Sequence, residues 1–220
     1  LHPRVRRQRQ MCIETAVTPI ASLSADLLKH LDRTSISRQR EGLEVINSQA
    51  KNLTTFLDSY HRLTHLPEPE YKTVSVQALF TKLERLLQAE PRSERVVYCD
   101  GKVDRSTGKE LQVYGDANLL TLALINLIRN ALQAVEGQEN GIVRVDTCAG
   151  ATGHLLIIIT DNGPGIPPER LSAIFTPFFS TKSGGSGIGL PISQRIMQLH
   201  GGQLSVSSIP NVRTEFRMEF

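Results

Sequence analysis

The stretch "STKSGGSGIGLPISQRI", Ser180 to Ile196, sets Gly184, Gly185, Gly187 and Gly189 directly ahead of a segment with helical apolar spacing. Backbone N–H groups at a helix start bind phosphate, and Lys182 adds a point charge beside them. Taken by itself the stretch also reads as a flexible glycine-rich loop. It is not a P-loop, because no Gly-Lys-Ser/Thr follows at the required spacing. Nor is it a dinucleotide fingerprint, which comes off a strand, whereas a polar loop precedes this one. Its meaning depends on what stands around it.

Upstream, "IIITDNGPGIP" (Ile157 to Pro167) ends a strand pattern on Asp161 and continues into Gly-Pro-Gly. The plain reading is a turn, since Asp, Asn, Gly and Pro favour turns. The functional reading has Asp161 accepting a hydrogen bond from a purine amino group, while Gly163 and Gly165 let backbone approach the ring with no Cβ in the way. Further upstream, a helical pattern from Asp116 to Val135 carries Asn126 and Asn130 four apart on one face, among leucines, isoleucines and alanines. Buried amides need partners, and such a pair also reads as a capped or solvated feature. An amide oxygen there can ligate Mg²⁺, a hard cation that keeps several waters and takes phosphate oxygens for the rest.

At 220 residues the chain fits one generous domain or a small domain plus an extension. The net charge is only +3, with the excess gathered in "RVRRQRQ", Arg4 to Gln10. That argues against a nucleic-acid binder, which carries its basic face in the body of the domain. The basic run reads as a solvated helix start or as the cytoplasmic flank of a membrane segment. No apolar run approaches the roughly 18 to 20 residues of a spanning helix, so a soluble chain is expected. A start at Leu1 without a signal-like segment leads us to expect a fragment of something larger. Three cysteines, Cys12, Cys99 and Cys148, are odd in number and lack metal spacing, which suggests reduced thiols in a cytosolic compartment.

From Ile13 the apolar residues Ile13, Val17, Ile20, Leu27 and Leu31 recur at helical steps, with Pro19 set inside the run. After "DRTSIS" a second series runs Leu43, Ile46, Ala50, Leu53, Leu57, Tyr60 over about three heptads. Two such helices make an antiparallel hairpin that cannot bury both seams alone, so a homodimer closing a four-helix bundle is expected. The other reading is a hairpin packed on its own downstream domain. "HLPEPEYKT" (His65 to Thr73) ends the second helix and reads as a linker. This gives a helical hairpin over 1–66, a linker over 67–73 and a mixed domain over 74–220. In the latter, strands 95–100 and 110–116, then 141–149 with 154–161, and 203–209 with 214–220, lie in pairs between helices. The expected class is α+β, with helices on one face of a mixed sheet.

Taken together, "NLIRNA", "DNGPGI", "FTPFFSTK", "GGSGIGL" and the "HGG" at His200 to Gly202 resemble the N, G1, F, G2 and G3 boxes of the catalytic ATP-binding domain of bacterial sensor histidine kinases. The resemblance covers Thr73 to Phe220. It implies a Bergerat-type (GHKL) α/β sandwich that takes ATP with Mg²⁺. Matched position by position, it implies ATP contacts at Asn126, Asn130, Gln133, Asp161, Gly163, Gly165, Ile166, Thr181, Lys182, Gly185, Ser186, Gly187, Ile188, Gly189 and Leu190. Asn130 would be the Mg²⁺ ligand, Asp161 would meet the adenine amino group, and Ser186 with the Gly185 to Gly189 loop would meet the phosphates. Phe175 to Gly184 would form a short mobile lid.

The upstream hairpin is similar to the dimerisation and phosphotransfer domain of the same family, over about Arg9 to Leu66. The Thr18-Pro19 step is its signature, for proline removes a backbone donor and crowds the carbonyl of Thr15, kinking the helix. In the commonest family pattern the phosphoacceptor histidine falls at Glu14. "MCIETAVTPI", Met11 to Ile20, better resembles the nitrogen-regulation branch, His-Glu-Ile-x-Asn-x-Leu-Thr-Pro-Ile, and "FLDSYHRLTHLPEPE" also resembles that branch. In that register Met11 stands at the phosphoacceptor position, Cys12 at the general-base position and Thr15 where some relatives orient a hydrolytic water. A thioether offers no ring nitrogen to a phosphoryl group.

The resemblance therefore implies a two-component sensor kinase that binds ATP-Mg and passes phosphoryl groups to a response-regulator receiver domain. It implies a homodimer without nucleic acid, in the cytoplasm or as the cytoplasmic part of an inner-membrane protein whose sensor region lies upstream. Autophosphorylation is in doubt because Met11 and Cys12 replace His-Glu. The alternative is a degenerate kinase serving as an ATP-binding scaffold or a response-regulator phosphatase. Another ATPase of the superfamily, such as a topoisomerase or mismatch-repair module, fits less well with the hairpin and the "HGG".

Overall fold

The computed structural model describes residues 18, 20–27, 36–99, 110–149, 154–181 and 186–220. Met11, Cys12, Thr15, Pro19, Lys182 and Gly185 lie outside the described residues. The chain divides into two compact units, Leu1–Leu66 with Ser180–Ile188, and Pro67–Phe179 with Gly189–Phe220.

In the first unit, residues 20–27 form a helix, α1, and Ile36–Thr64 a long second one, α2. They meet at Gly42, where an added Cβ would lie 3.0 Å from Leu27 Cδ1. The contact thus passes one residue away from the expected seam. On that seam Ile46, Leu53 and Tyr60 are half-buried, while Leu43 is 60% and Leu57 48% exposed. The chain by itself leaves part of this apolar stripe in water.

The second unit begins with β1 (Lys72–Ser75), so the last residues of the expected linker are strand rather than coil. Ser75 then caps α3 (Val76–Leu87), its Oγ accepting the Ala78 N–H at 3.1 Å. The apolar residues Val76, Leu79, Phe80, Leu83 and Leu87 fall at helical steps and are all buried. After β2 (Val96–Tyr98) and β3 (Gln112–Gly115) comes the central helix, α4 (Ala117–Ala134). Then follow β4 (Val143–Ala149), β5 (Leu155–Asp161), a single turn α5 (Pro168–Leu171), α6 (Gly189–Leu199), β6 (Gln203–Ile209) and β7 (Arg213–Glu219).

Five strands make one sheet in the order β2-β4-β5-β7-β6, with β2 parallel to β4 and the rest antiparallel. β2 and β3 do not pair with each other, as adjacency in sequence suggested. β3 instead pairs with β1 in a separate two-stranded ribbon, and it leads straight into α4. The β5 run alternates, burying Leu155, Ile157, Ile159 and Asp161, so its inner face meets helix and its outer face does not. On that inner face α4 packs against β4 and β5, with α3 on one flank and α6 on the other. Leu124, Leu127 and Ile128 of α4 are fully buried, and truncating any of them to Ala would cost about 2–5 kcal/mol.

Two features pin the start of α4. Asp116 caps it, Oδ1 accepting the N–H groups of Asn118 and Leu119 at 2.8 and 3.0 Å, while Oδ2 accepts the Glu70 N–H at 2.8 Å. Burial alone would raise this carboxyl, but the N–H groups of Glu70, Leu119 and Asn118, with His200 beside them, outweigh it and hold the pKa below the ordinary value. His200, from the "HGG", accepts the Asp116 N–H at Nε2 (2.9 Å) and donates from Nδ1 to the Ile196 carbonyl (2.7 Å), so each ring nitrogen meets a partner suited to it. Among the described residues no helix is long and apolar enough to cross a membrane.

Candidate functional site

One stripe of α4 joins two ends of the second unit. Asn126, Asn130 and Ala134 stand four residues apart, so they share a face and span about 12 Å along the helix. At one end Asn126 lies against the first residue of α6, its Nδ2 donating to the Gly189 carbonyl at 3.4 Å. Ser193 Oγ donates to that same carbonyl at 3.0 Å, tying the first turn of α6. At the other end Ala134 meets the turn that follows β5. A Cβ on Gly163 would fall 3.0 Å from Ala134 Cβ and 3.1 Å from Ala134 O. Asn130 between them is half-buried, and Gln133 is exposed one turn on.

The turn itself is built around Asp161, the last residue of β5 and only 2% exposed. Its Oδ1 accepts the Gly163 N–H at 2.9 Å, and a Cβ on Gly163 would fall 2.7 Å from that oxygen. Only glycine fits there. Gly165 has φ +74, and a side chain on it would strike the Ile209 carbonyl at 2.8 Å. The turn is laced to the β6–β7 hairpin: the Ile166 N–H donates to Ser208 Oγ (2.8 Å) and the Asn211 N–H to the Pro164 carbonyl (2.8 Å).

The register sets Thr214 opposite Asp161. Thr214 is buried, with Oγ1 3.3 Å from Ser208 Oγ. Sequence reading singled out neither Thr214 nor Ser208. The available signal was the alternation of "TEFRMEF", which puts Thr214 on the same face as Phe216 and Met218.

Residues 115–220 match the family described as "Histidine kinase-, DNA gyrase B-, and HSP90-like ATPase". Over 194 residues the chain is 30% identical to the sensor histidine kinase ZraS of Salmonella typhimurium, covering 87% of this chain and 40% of that protein. It is 33% identical over 184 residues to the sensory histidine kinase/phosphatase NtrB of Vibrio alginolyticus, covering 79% and 50%. The catalytic domain of histidine kinase ThkA superposes with a TM-score of 0.56 at 28% identity, over 69% of this chain and 95% of that one. ThkA solved in complex with response regulator TrrA shares the fold over 98% of this chain and 64% of that one, with a TM-score of 0.60 at 22% identity. Residues 115–220 thus belong to that ATPase family, and the chain is similar to sensor histidine kinases over most of its length. It spans about half the length or less of the curated relatives it matches.

The family's boxes thus fall as follows in this chain. Asn126, Asn130, Asp161, Gly163, Gly165, Ile166, Gly189 and Leu190 are all set in the second unit around α4, β5 and α6. Thr181 and Ser186 are exposed, Gly187 has φ +64 and Ile188 is buried; these four group with the first unit. In "FTPFFSTK", Phe178 takes φ +66, a left-handed backbone that costs a bulky residue about 1–3 kcal/mol. Among the described residues no group of three or more His, Cys, Asp or Glu could hold a metal. The oxygen donors on the α4 stripe are the amides of Asn126 and Asn130, a type that suits a hard cation sharing phosphate and water oxygens.

Proposed function

We propose that this chain is the nucleotide-binding and dimerisation portion of an ATP-dependent histidine protein kinase that signals through a response regulator. The observation that carries the reading is the α4 stripe. It links the helix start at Gly189 to the closed turn at Asp161 and Gly163, so a nucleotide laid along it meets amides at its middle. Asp161 takes the adenine amino group, in a turn that glycine at 163 and 165 lets close against Ala134 and the β6–β7 hairpin. Asn130, with Asn126 beside it, holds Mg²⁺, which when bound screens the phosphate charge. Ser186, Lys182 and the N–H groups from Gly185 to Leu190 take the phosphates.

The hairpin over 1–66 serves as the dimerisation and phosphotransfer element, with 74–220 as the catalytic domain. Exposure of Leu43 and Leu57 on the α2 seam supports a second copy there. A response-regulator partner is supported by the complex of ThkA with TrrA, and the cytoplasm is the compartment where ATP and such a regulator meet. The relatives bear kinase names, which favours the transferase over a scaffold. The test is calorimetric titration of the chain with ATP and Mg²⁺. Asp161→Asn is expected to weaken binding at least about tenfold, the loss of a charge-assisted hydrogen bond. Unchanged affinity in that variant, or no binding by the natural chain, overturns the reading.

A further inference from the structure

Behind the Asp161 turn, three connections that belong to different parts of the chain converge on the end of α4. The first is the α3–β2 connection. From it Arg95 Nη1 donates to the Val135 carbonyl at 2.9 Å. Val135 is the C-cap of α4 and is fully buried. The half-buried Arg95 lies against Gly141: a Cβ there would fall 2.7 Å from Arg95 Nη1 and 2.7 Å from Val135 Cβ. Two further ion pairs tie the same connection to the same helix end, Arg92 to Glu136 at 2.8 Å and Arg129 to Glu90.

The second is the α4–β4 turn, held to the first residue beyond Asp161. Asn162 Oδ1 accepts the Ile142 N–H at 2.8 Å, and its Nδ2 donates to the Asn140 carbonyl at 2.8 Å. The third is the Asp161–Gly163 turn, which rests on Ala134, the residue just before Val135.

A charged donor on a helix's last carbonyls is favourable both as a hydrogen bond and against the helix dipole. Here it does more than end a helix, because the anchored carbonyl belongs to the residue next to the one on which Gly163 packs. Gly163 in turn donates to Asp161 Oδ1. We propose that Arg95 is a positioning residue for the adenine-reading carboxylate: by fixing Val135 it holds Ala134 against Gly163 and so sets where Asp161 points. This rests on the reading of Asp161 as the adenine contact.

The test measures affinities for ATP and for ITP, whose base carries a carbonyl in place of the amino group. Four proteins are compared: the natural chain, Arg95→Met, Arg95→Lys and Asp161→Asn. Thermal unfolding is followed in parallel. Asp161→Asn tests the underlying assignment, and an unchanged ATP-to-ITP ratio in it removes that assignment. With that control passed, Arg95→Met is expected to lower the ratio by about tenfold, and Arg95→Lys to recover part of it by keeping a cationic donor. If Arg95→Met lowers the melting temperature but leaves the ratio as in the natural chain, Arg95 only stabilises the fold and the proposal is overturned. An unchanged ratio with an unchanged melting temperature overturns it too.

Discussion

Asp161 and Gly163 form a pair in which each explains the other. The carboxylate is buried at a strand end and takes the N–H two residues on, which is possible because the intervening space holds no Cβ. Gly163→Ala would press a methyl against Asp161 Oδ1 at 2.7 Å and against Ala134. We expect a loss of about 1–3 kcal/mol in stability, typical of overpacking, and a fall in ATP affinity larger than that of Gly137→Ala. Gly137 has open space around it but a φ of +81, so that control carries backbone strain without touching the turn. Titration calorimetry with chemical denaturation separates the two effects.

Tyr98 is a different case. Its hydroxyl is buried without a hydrogen-bond partner among the described residues, beside the ring of Phe80. Burial, with the Glu84 carboxylate adding, pushes its pKa from 10.0 up to about 12. The raised value means that the stability tied to the neutral phenol is fully present below pH 10 and is lost as pH rises through about 12. Tyr98→Phe should remove that alkaline loss and be neutral or stabilising by about 1 kcal/mol at pH 7, because it deletes an unsatisfied polar group. Denaturation midpoints at pH 7 and pH 11 check both signs. The turn after Asp161 was legible in sequence, because Asp, Asn, Gly and Pro favour turns and the apolar run before them reads as a strand. Arg95 and Thr214 were not, because each gains its role from a partner 40 or more residues away.

At the scale of elements, α2 carries an apolar seam that its own unit does not cover. The approach to α1 runs through Gly42, and a glycine lets backbones come close but contributes no side chain to bury. Leu43 and Leu57 are left exposed on a helix whose spacing repeats over three heptads. The double variant Leu43→Glu, Leu57→Glu should therefore keep its helix content and lose self-association, seen as a halved mass in sedimentation equilibrium. A natural chain already monomeric at micromolar concentration would remove this reading. Periodicity made α2, α3 and α4 legible in the sequence, and alternation made β5 and the β6–β7 hairpin legible. It could not say which strands pair. β2 joins β4 in parallel while β3 leaves for β1, a long-range choice that periodicity within one strand does not encode. Likewise β1 lies in a proline-rich segment whose composition reads as linker, and it is a strand because Val74 and Val113 pair across the ribbon.

Over the whole molecule, the nucleotide end and the acceptor end of the chain make opposite statements. On the proposed reading, the region from Asn126 to Thr214 carries the residues that would bind ATP, and a nucleotide bound there calls for an acceptor. At the other end, the register implied by the resemblance to the nitrogen-regulation branch would put Met11 where the ring nitrogen belongs and Cys12 where the base belongs. A thioether cannot form the phosphoramidate, and catalysis of phosphoryl transfer is mostly positioning and charge neutralisation once a nucleophile is present. If only the nucleophile and its base are lacking, restoring them should restore the reaction. We predict that the natural chain incubated with γ-labelled ATP and Mg²⁺ binds nucleotide but acquires no label in the segment around Met11. Met11→His with Cys12→Glu should acquire label that is lost in acid and kept in base, the behaviour of a phosphohistidine. Adding Asp161→Asn to that variant should abolish it. An unlabelled double variant that still binds ATP would mean that the departure from the family extends beyond residues 11 and 12. Acid-labile, base-stable label on the natural chain would instead place the acceptor on one of its six histidines, and peptide mapping would identify which.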